Sequence, residues 1–290
     1  MPGFSGDRQW RVCKIASINV GKGDIAGVIR LRTKMYVVCY DSNVIAVFTS
    51  EQPFRRLQDI VVDGLLCPCG VAASADIGCL YVPDPVIASV WRISDDDGAV
   101  VEWLTGLRAV NVTVTSDNRV VVLVWTGMPS TGRCTAAYGE VHVYQADAVM
   151  ESVITLSPDI TSPWCVVMTS KETFSVSQGP RSDDMHRVCE VDKTGRVLKA
   201  FGSSRGNDVD QLNEPLSVSL DDEERVIVAD SGNRRVLMLS RELTSPRVIA
   251  SWQPQSQGKP AYPTRLHYDS LTGNLLVRFA GGRVDVFKFK

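Results

Sequence analysis

Residues 213–239 read Asn213-Glu214-Pro215-Leu216-Ser217-Val218-Ser219-Leu220-Asp221, then Asp222-Glu223-Glu224, then Arg225-Val226-Ile227-Val228-Ala229-Asp230, then Ser231-Gly232-Asn233-Arg234-Arg235-Val236-Leu237-Met238-Leu239. Three short runs rich in Val, Leu and Ile are separated by Asp, Glu, Gly and Asn. That is the pattern of consecutive antiparallel strands joined by tight turns.

The same order recurs along the chain with less of the detail. Cys67-Pro68-Cys69-Gly70-Val71-Ala72-Ala73, Leu80-Tyr81-Val82-Pro83-Asp84 and Ser89-Val90-Trp91-Arg92-Ile93 form one copy. Residues 27–31, 35–38 and 44–48 form another, and residues 110–115, 119–124 and 140–144 a third. Residues 163–168, 173–176 and 186–191 form a fourth, and residues 263–268, 275–277 and 282–287 the last. Second-strand centres near Val37, Tyr81, Val121, Ser175, Ile227 and Leu276 lie roughly 40 to 54 positions apart, a period that fits one four-stranded blade per repeat.

Fourth strands follow where hairpins should put them. Asp97-Gly98 leads into 99–104 and Thr194-Gly195 into 196–201, with 54–61, 153–156 and 247–252 as equivalents. The sixth set reaches Lys290 after its third strand, and Arg11-Val12-Cys13-Lys14-Ile15-Ala16 is the available substitute. Closing the ring in this way removes long exposed sheet edges. The expectation is an all-β, six-bladed β-propeller of four-stranded antiparallel blades. It spans residues 1–290 as one domain, with the N-terminal strand at 10–18 pairing within the last blade at 263–290. Helical periodicity is nearly absent, and only residues 145–153 suit a short helical turn.

The Pro215-initiated strand, the strand ending in Val228-Ala229-Asp230, the Asn233-x-Arg235-Val236 opening of the third strand and the preceding Phe201-Gly202 closely resemble the NHL repeat. NHL propellers form the C-terminal domain of many tripartite-motif proteins, where they recognise substrates or RNA. The resemblance implies a recognition role, with Asp230 and Arg235 as a structural tie between neighbouring strands rather than catalytic groups. Cys and His at the ligand spacings of RING and B-box modules do not occur in the sequence, and neither do coiled-coil heptads.

Composition narrows the function classes. Of 290 residues, 44% are hydrophobic and 22% charged, as in an ordinary folded protein. The formal net charge of -2 lacks the Lys and Arg excess of a typical phosphate-neutralising nucleic-acid binder. Eight cysteines sit partly in apolar runs such as Val38-Cys39-Tyr40, and no secretory signal opens the chain. The expectation is reduced thiols, a cytoplasmic location and no membrane segment. The sequon at Asn111-Val112-Thr113 falls in an expected buried strand and is read as chance.

The chemistry-bearing residues do not group. His142 and His186 fall on third strands and only His267 on an inner one, so no zinc ligand set is expected. Cys67-Pro68-Cys69 reads as a loop, and Asp95-Asp96-Asp97 and Asp221 to Glu224 read as solvated turns without calcium-loop spacing. A gluconolactonase-like hydrolase would need several axial acids, and Glu214 is the best single one. Gly21-Lys22-Gly23 lacks the following helix of a phosphate cradle. No catalytic residue, cofactor or metal is therefore expected, and the chain is read as not an enzyme.

Long insertions at 125–139, 177–185, 202–214 and 253–262 all belong to blade-to-blade or second-to-third-strand loops, which share one propeller face. That face would carry Trp125, Arg133, Tyr138, Arg181 and Arg205 as protein-binding residues beside Asp183, Asp184, Asp208 and Asp210. The leading expectation is a non-catalytic module, monomeric in isolation, that recognises a protein partner, such as a substrate of tripartite-motif ubiquitin ligase-type systems. The alternatives are an RNA-binding NHL propeller, which requires Arg181, Arg205, Arg234 and Arg235 to converge, and a metal-dependent lactonase- or lyase-like hydrolase.

Overall fold

A computed structural model describes residues 12–19, 24–126, 138–179, 185–253 and 262–289. The densest apolar runs are the second strands of the repeats, and the reason is coverage on both faces. Residues Val226–Asp230 and Cys79–Asp84 are buried at every position, whereas the outer strand Met150–Thr155 is exposed at all but one.

In chain order, β1 is Val12–Asn19, and the first blade is β2 (Ile25–Leu31), β3 (Lys34–Cys39), β4 (Val44–Thr49) and β5 (Ile60–Val61). The second is β6 (Ala72–Ser74), β7 (Cys79–Asp84), β8 (Ser89–Ser94) and β9 (Val100–Thr105). The third is β10 (Ala109–Val114), β11 (Val120–Thr126), β12 (Tyr138–Tyr144) and β13 (Met150–Thr155). The fourth is β14 (Pro163–Met168), β15 (Phe174–Gln178), β16 (His186–Val191) and β17 (Val197–Ser203). The fifth is β18 (Pro215–Leu220), β19 (Val226–Asp230), β20 (Arg235–Leu239) and β21 (Arg247–Ser251). The sixth joins β22 (Pro263–Asp269), β23 (Asn274–Phe279) and β24 (Arg283–Phe289) to β1, in the order β1-β24-β23-β22.

The six antiparallel four-stranded sheets form the expected β-propeller, and β1 completes the last blade with Val12 opposite Phe289 and Asn19 opposite Arg283. Two local expectations are corrected. Residues 145–149 make a hairpin turn closed by Gln145 N–H to Val149 O at 2.8 Å, not a helical turn, and β13 follows at once. The fourth strand of the first blade shrinks from 54–61 to Ile60–Val61. There the Asp59 carboxylate takes the Val47 N–H at 3.4 Å, so a side chain replaces a ladder carbonyl.

Inner strands of adjacent blades share no backbone ladder, and side chains stitch them instead. Val166 N–H donates to Asn111 Oδ1 at 2.9 Å. Leu266 and Tyr268 N–H donate to the Ser217 and Ser219 hydroxyls at 3.2 and 3.1 Å. Where no such stitch exists the strands close up on small residues: a Cβ at Gly27 would lie 2.8 Å from Val71 Cγ1. Among the described residues, no helix is long and apolar enough to cross a membrane.

Candidate functional site at the channel mouth

In five of the six inner strands the pairing register shifts after the first residue, at Ile25/Gly27, Ala109/Asn111, Pro163/Cys165, Pro215/Ser217 and Pro263/Arg265. A bulge re-aims the residue that follows it. Gly27, Asn111, Cys165, Ser217 and Arg265 accordingly line the central channel, with Val71 from the second blade. Strand alternation then brings Ile29, Ala73, Thr113, Val167, Ser219 and His267 to the same lining one layer deeper. The cavity measures about 230 Å³, and no Asp or Glu is among its lining residues.

The outer of these two rings sits where the blade-to-blade loops enter the inner strands, so it forms the mouth on the loop-rich face. Five of its members are small or medium-sized, and the sixth is Arg265. Its side chain crosses the mouth, donating from Nη1 to Leu216 O at 2.8 Å and from Nη2 to Cys69 O at 3.1 Å. The guanidinium lies 5.9 Å from the Trp164 ring centre. Arg265 is only 8% exposed, its Nε has no hydrogen-bond partner, and no carboxylate among the described residues pairs with it.

Directly across the ladder stands a second buried cation, Arg278. It donates from Nη1 to Thr264 Oγ1 at 2.6 Å and lies 5.3 Å from the Tyr40 ring centre, with its own Nε unpartnered. Burial, with repulsion from Arg265, pushes its pKa down to about 10; Asp24 opposes that shift without forming an ion pair. Like charges on opposed strand positions destabilise a sheet, so this pair is costly to the isolated fold.

The mouth also carries thiols, and they are not activated. Burial pushes Cys69 up to about 12 and raises Cys165; their sulfurs rest on the Val110 and Val218 carbonyls at 3.2 and 3.5 Å. Burial lowers His267 to about 4, which keeps its imidazole neutral at physiological pH. A base whose folded pKa lies below its unfolded value of about 6.5 contributes stability fully above that pH and loses it as pH falls toward 4. The His267→Gln variant should therefore lack a pH-dependent loss of roughly 3 kcal/mol that the wild type shows over this range. Urea melts of both proteins from pH 7.5 to 4 measure it, and parallel curves would remove His267 as the source.

The residues singled out from sequence are placed as follows. Trp125 is half-buried: its indole donates to Pro163 O at 2.6 Å and meets Trp164 edge-on at 5.1 Å, so it walls the seam between the third and fourth blades. Tyr138 is half exposed at the start of β12, and Arg205 is exposed in the loop before β18. Arg133 and Arg181 lie outside the described residues. Arg235 is committed elsewhere, donating to Asp230 at 2.7 Å and to the carbonyls of Asn207, Asp208 and Gln211. It is thereby removed from the basic patch that an RNA-binding face would require. Glu214 is not in the channel lining; its backbone N–H donates to His186 Nδ1 at 2.8 Å. Among the described residues, no three His, Cys, Asp or Glu converge as metal ligands.

With this geometry in hand, comparison with solved structures is informative. Virginiamycin B lyase from Staphylococcus aureus superposes with a TM-score of 0.63 at 9% identity, covering 96% of this chain and 99% of that one. A streptogramin B lyase gives 0.64 at 8% identity, covering 97% and 98%. The WD40 β-propeller domain of Doa1 gives 0.61 at 11%, covering 96% and 97%. The likeness is one of fold alone. No family model matches the chain, and no curated protein does. Two of these whole-length neighbours are lyases, and this overturns the expectation that the chain is not an enzyme: that expectation rested on chemistry-bearing residues failing to group in the sequence, and the same architecture also carries catalysis.

Sequence reasoning missed Arg265 and Arg278. Aligning the five bulged inner strands on their first residues shows, at the third position, one Arg in a column otherwise occupied by Gly27, Asn111, Cys165 and Ser217.

Proposed function

We propose that the chain is an interaction module that docks a protein partner on the face carrying its blade-to-blade loops, with residues 1–290 acting as one propeller domain. The observation that carries this reading is a pair of exposed apolar side chains held by one buried carboxylate. Leu66 is 55% and Val86 66% exposed, while Asp84 is fully buried. Asp84 accepts the Leu66 N–H at 2.7 Å and the Val86 N–H at 3.0 Å. Scattered exposed apolar residues are ordinary on a protein surface. Two on backbone fixed by the same carboxylate form a preorganised anchor, which lowers the ordering cost of binding.

The same device operates in the fifth blade. Asp230 and Arg235 pin the loop that exposes Arg205, Asp208, Val209 and Asp210. Charges of both signs beside apolar anchors suit a protein surface better than a polyanion. The NHL-type detail at 213–239 supports a substrate-recognition part of the tripartite-motif ligase kind, in which Tyr138 and Arg205 contribute to the rim.

Leu66→Glu/Val86→Glu should lose the proteins that wild type captures from a lysate after cross-linking, with stability changed by less than about 1 kcal/mol, as expected for exposed positions. Adding Arg205→Glu tests whether the patch reaches the fifth blade. An unchanged set of captured proteins would sink the assignment of this face.

A further inference from the structure

The channel mouth holds a feature that partner docking at the rim does not use. A buried guanidinium without a counter-charge is costly, because desolvation is uncompensated. Arg265 meets that description, and Arg278, its partner across the ladder, meets it too. Two carbonyls take one proton from each terminal nitrogen of Arg265, which leaves three of its five donors, Nε–H among them. An Nε–H together with the Nη–H beside it is the planar fork that matches a carboxylate.

The rest of the cavity agrees. Its lining has one cation and no Asp or Glu, so a ligand anion entering it meets no repelling carboxylate on the walls. One layer deeper, roughly 6–7 Å along the strands, the Thr113 hydroxyl is buried without a hydrogen-bond partner and stands in the same ring as Ser219 and His267. Buried polar atoms are nearly always satisfied, so Thr113 marks where a second polar group of a ligand would end. A cavity of about 230 Å³ is smaller than the roughly 300–1,000 Å³ of drug-sized pockets.

We propose that the channel mouth binds a small organic carboxylate, its carboxylate forked on Arg265 and a hydroxyl or carbonyl at its far end bonded to Thr113. Arg278 stands behind Arg265 and deepens the positive potential. The site is independent of the protein-docking reading, because neither Leu66 nor Val86 lines it.

Isothermal titration calorimetry at low salt with acetate, 4-hydroxybutanoate and inorganic phosphate tests this. In wild type, 4-hydroxybutanoate should bind about tenfold more tightly than acetate, and more tightly than phosphate. Thr113→Val should erase the preference over acetate and leave acetate binding unchanged. Arg265→Met should abolish binding of both carboxylates without lowering the melting temperature, since it removes an uncompensated buried charge. Arg265→Lys keeps the charge and loses the fork, and should weaken 4-hydroxybutanoate at least tenfold. Silence with both carboxylates in wild type, or undiminished binding in both Arg265 variants, would overturn the site. Tighter binding of phosphate than of 4-hydroxybutanoate would overturn the ligand class.

Discussion

A chain lacking residues 1–19 should fail to fold cooperatively. β1 pairs with β24 from Val12 to Asn19, and without it β24 becomes a full-length open edge. Ile18, 4% exposed, belongs to the core cluster of Ile25, Val28, Val284 and Val286 at the seam of the last and first blades, so its loss opens that seam. The polar cost is as large. Asp285 is fully buried and accepts Lys14 Nζ at 3.0 Å and the Ser17 hydroxyl at 2.7 Å, both from β1. Removing those donors leaves the buried carboxylate, among the described residues, with only an ion pair to Arg283 Nε at 3.3 Å. Stripping the partners of one buried charge costs about 3–5 kcal/mol, and burying one large aliphatic side chain contributes about 2 kcal/mol. Together they approach the roughly 5–15 kcal/mol that a whole domain has to lose. Thermal unfolding followed by circular dichroism decides the matter: a truncated protein melting as sharply and as high as wild type would refute the closure.

The second large effect is expected at Asp230. This carboxylate, with no exposure, accepts Asn213 N–H at 2.7 Å, Asn233 Nδ2 at 2.8 Å and Arg235 Nε at 2.7 Å. Asp230→Ala strands Arg235, a side chain largely buried beneath the loop it holds, and should cost about 3–5 kcal/mol in urea unfolding. Arg235→Met should cost less, because the two amide donors to Asp230 remain. The double variant should be milder than the sum of the singles, since with both partners removed no unpaired charge is left behind. Singles that each cost under about 1 kcal/mol would show that the tie carries little of the fifth blade's stability.

These two sites differ in how readily they can be read from sequence. The Asp230–Arg235 tie was legible through the NHL resemblance, and its physical basis is that the two residues flank a turn and pair across the ladder. Closure by β1 was legible because the sixth repeat is one strand short and residues 11–16 offer a strand-like run to complete it. The short β5 was not, since Asp59 breaks the ladder from outside the strand. The channel mouth was harder still. Which residue of an inner strand faces the axis depends on a bulge that adds one position after the first residue, and spacing does not announce a bulge. Arg265 is one charged residue among inner strands that are mostly uncharged, and its isolation from the described carboxylates emerges only when six blades meet.

The ring of Gly27, Val71, Asn111, Cys165, Ser217 and Arg265 has a consequence for how such a molecule diversifies. Each member comes from a different blade, and Asn111 and Ser217 also hold the inner strand of the next blade through their side chains. Exchanging one residue for another of tolerable size rewrites what the pore selects and leaves every strand's pairing partners in place. Gly27 is the exception, because the neighbouring strand occupies the volume its side chain would need. Ligand preference on this scaffold can therefore drift most freely at Val71 and Arg265, whereas exchanges at Asn111 and Ser217 also loosen the blade seams those side chains hold.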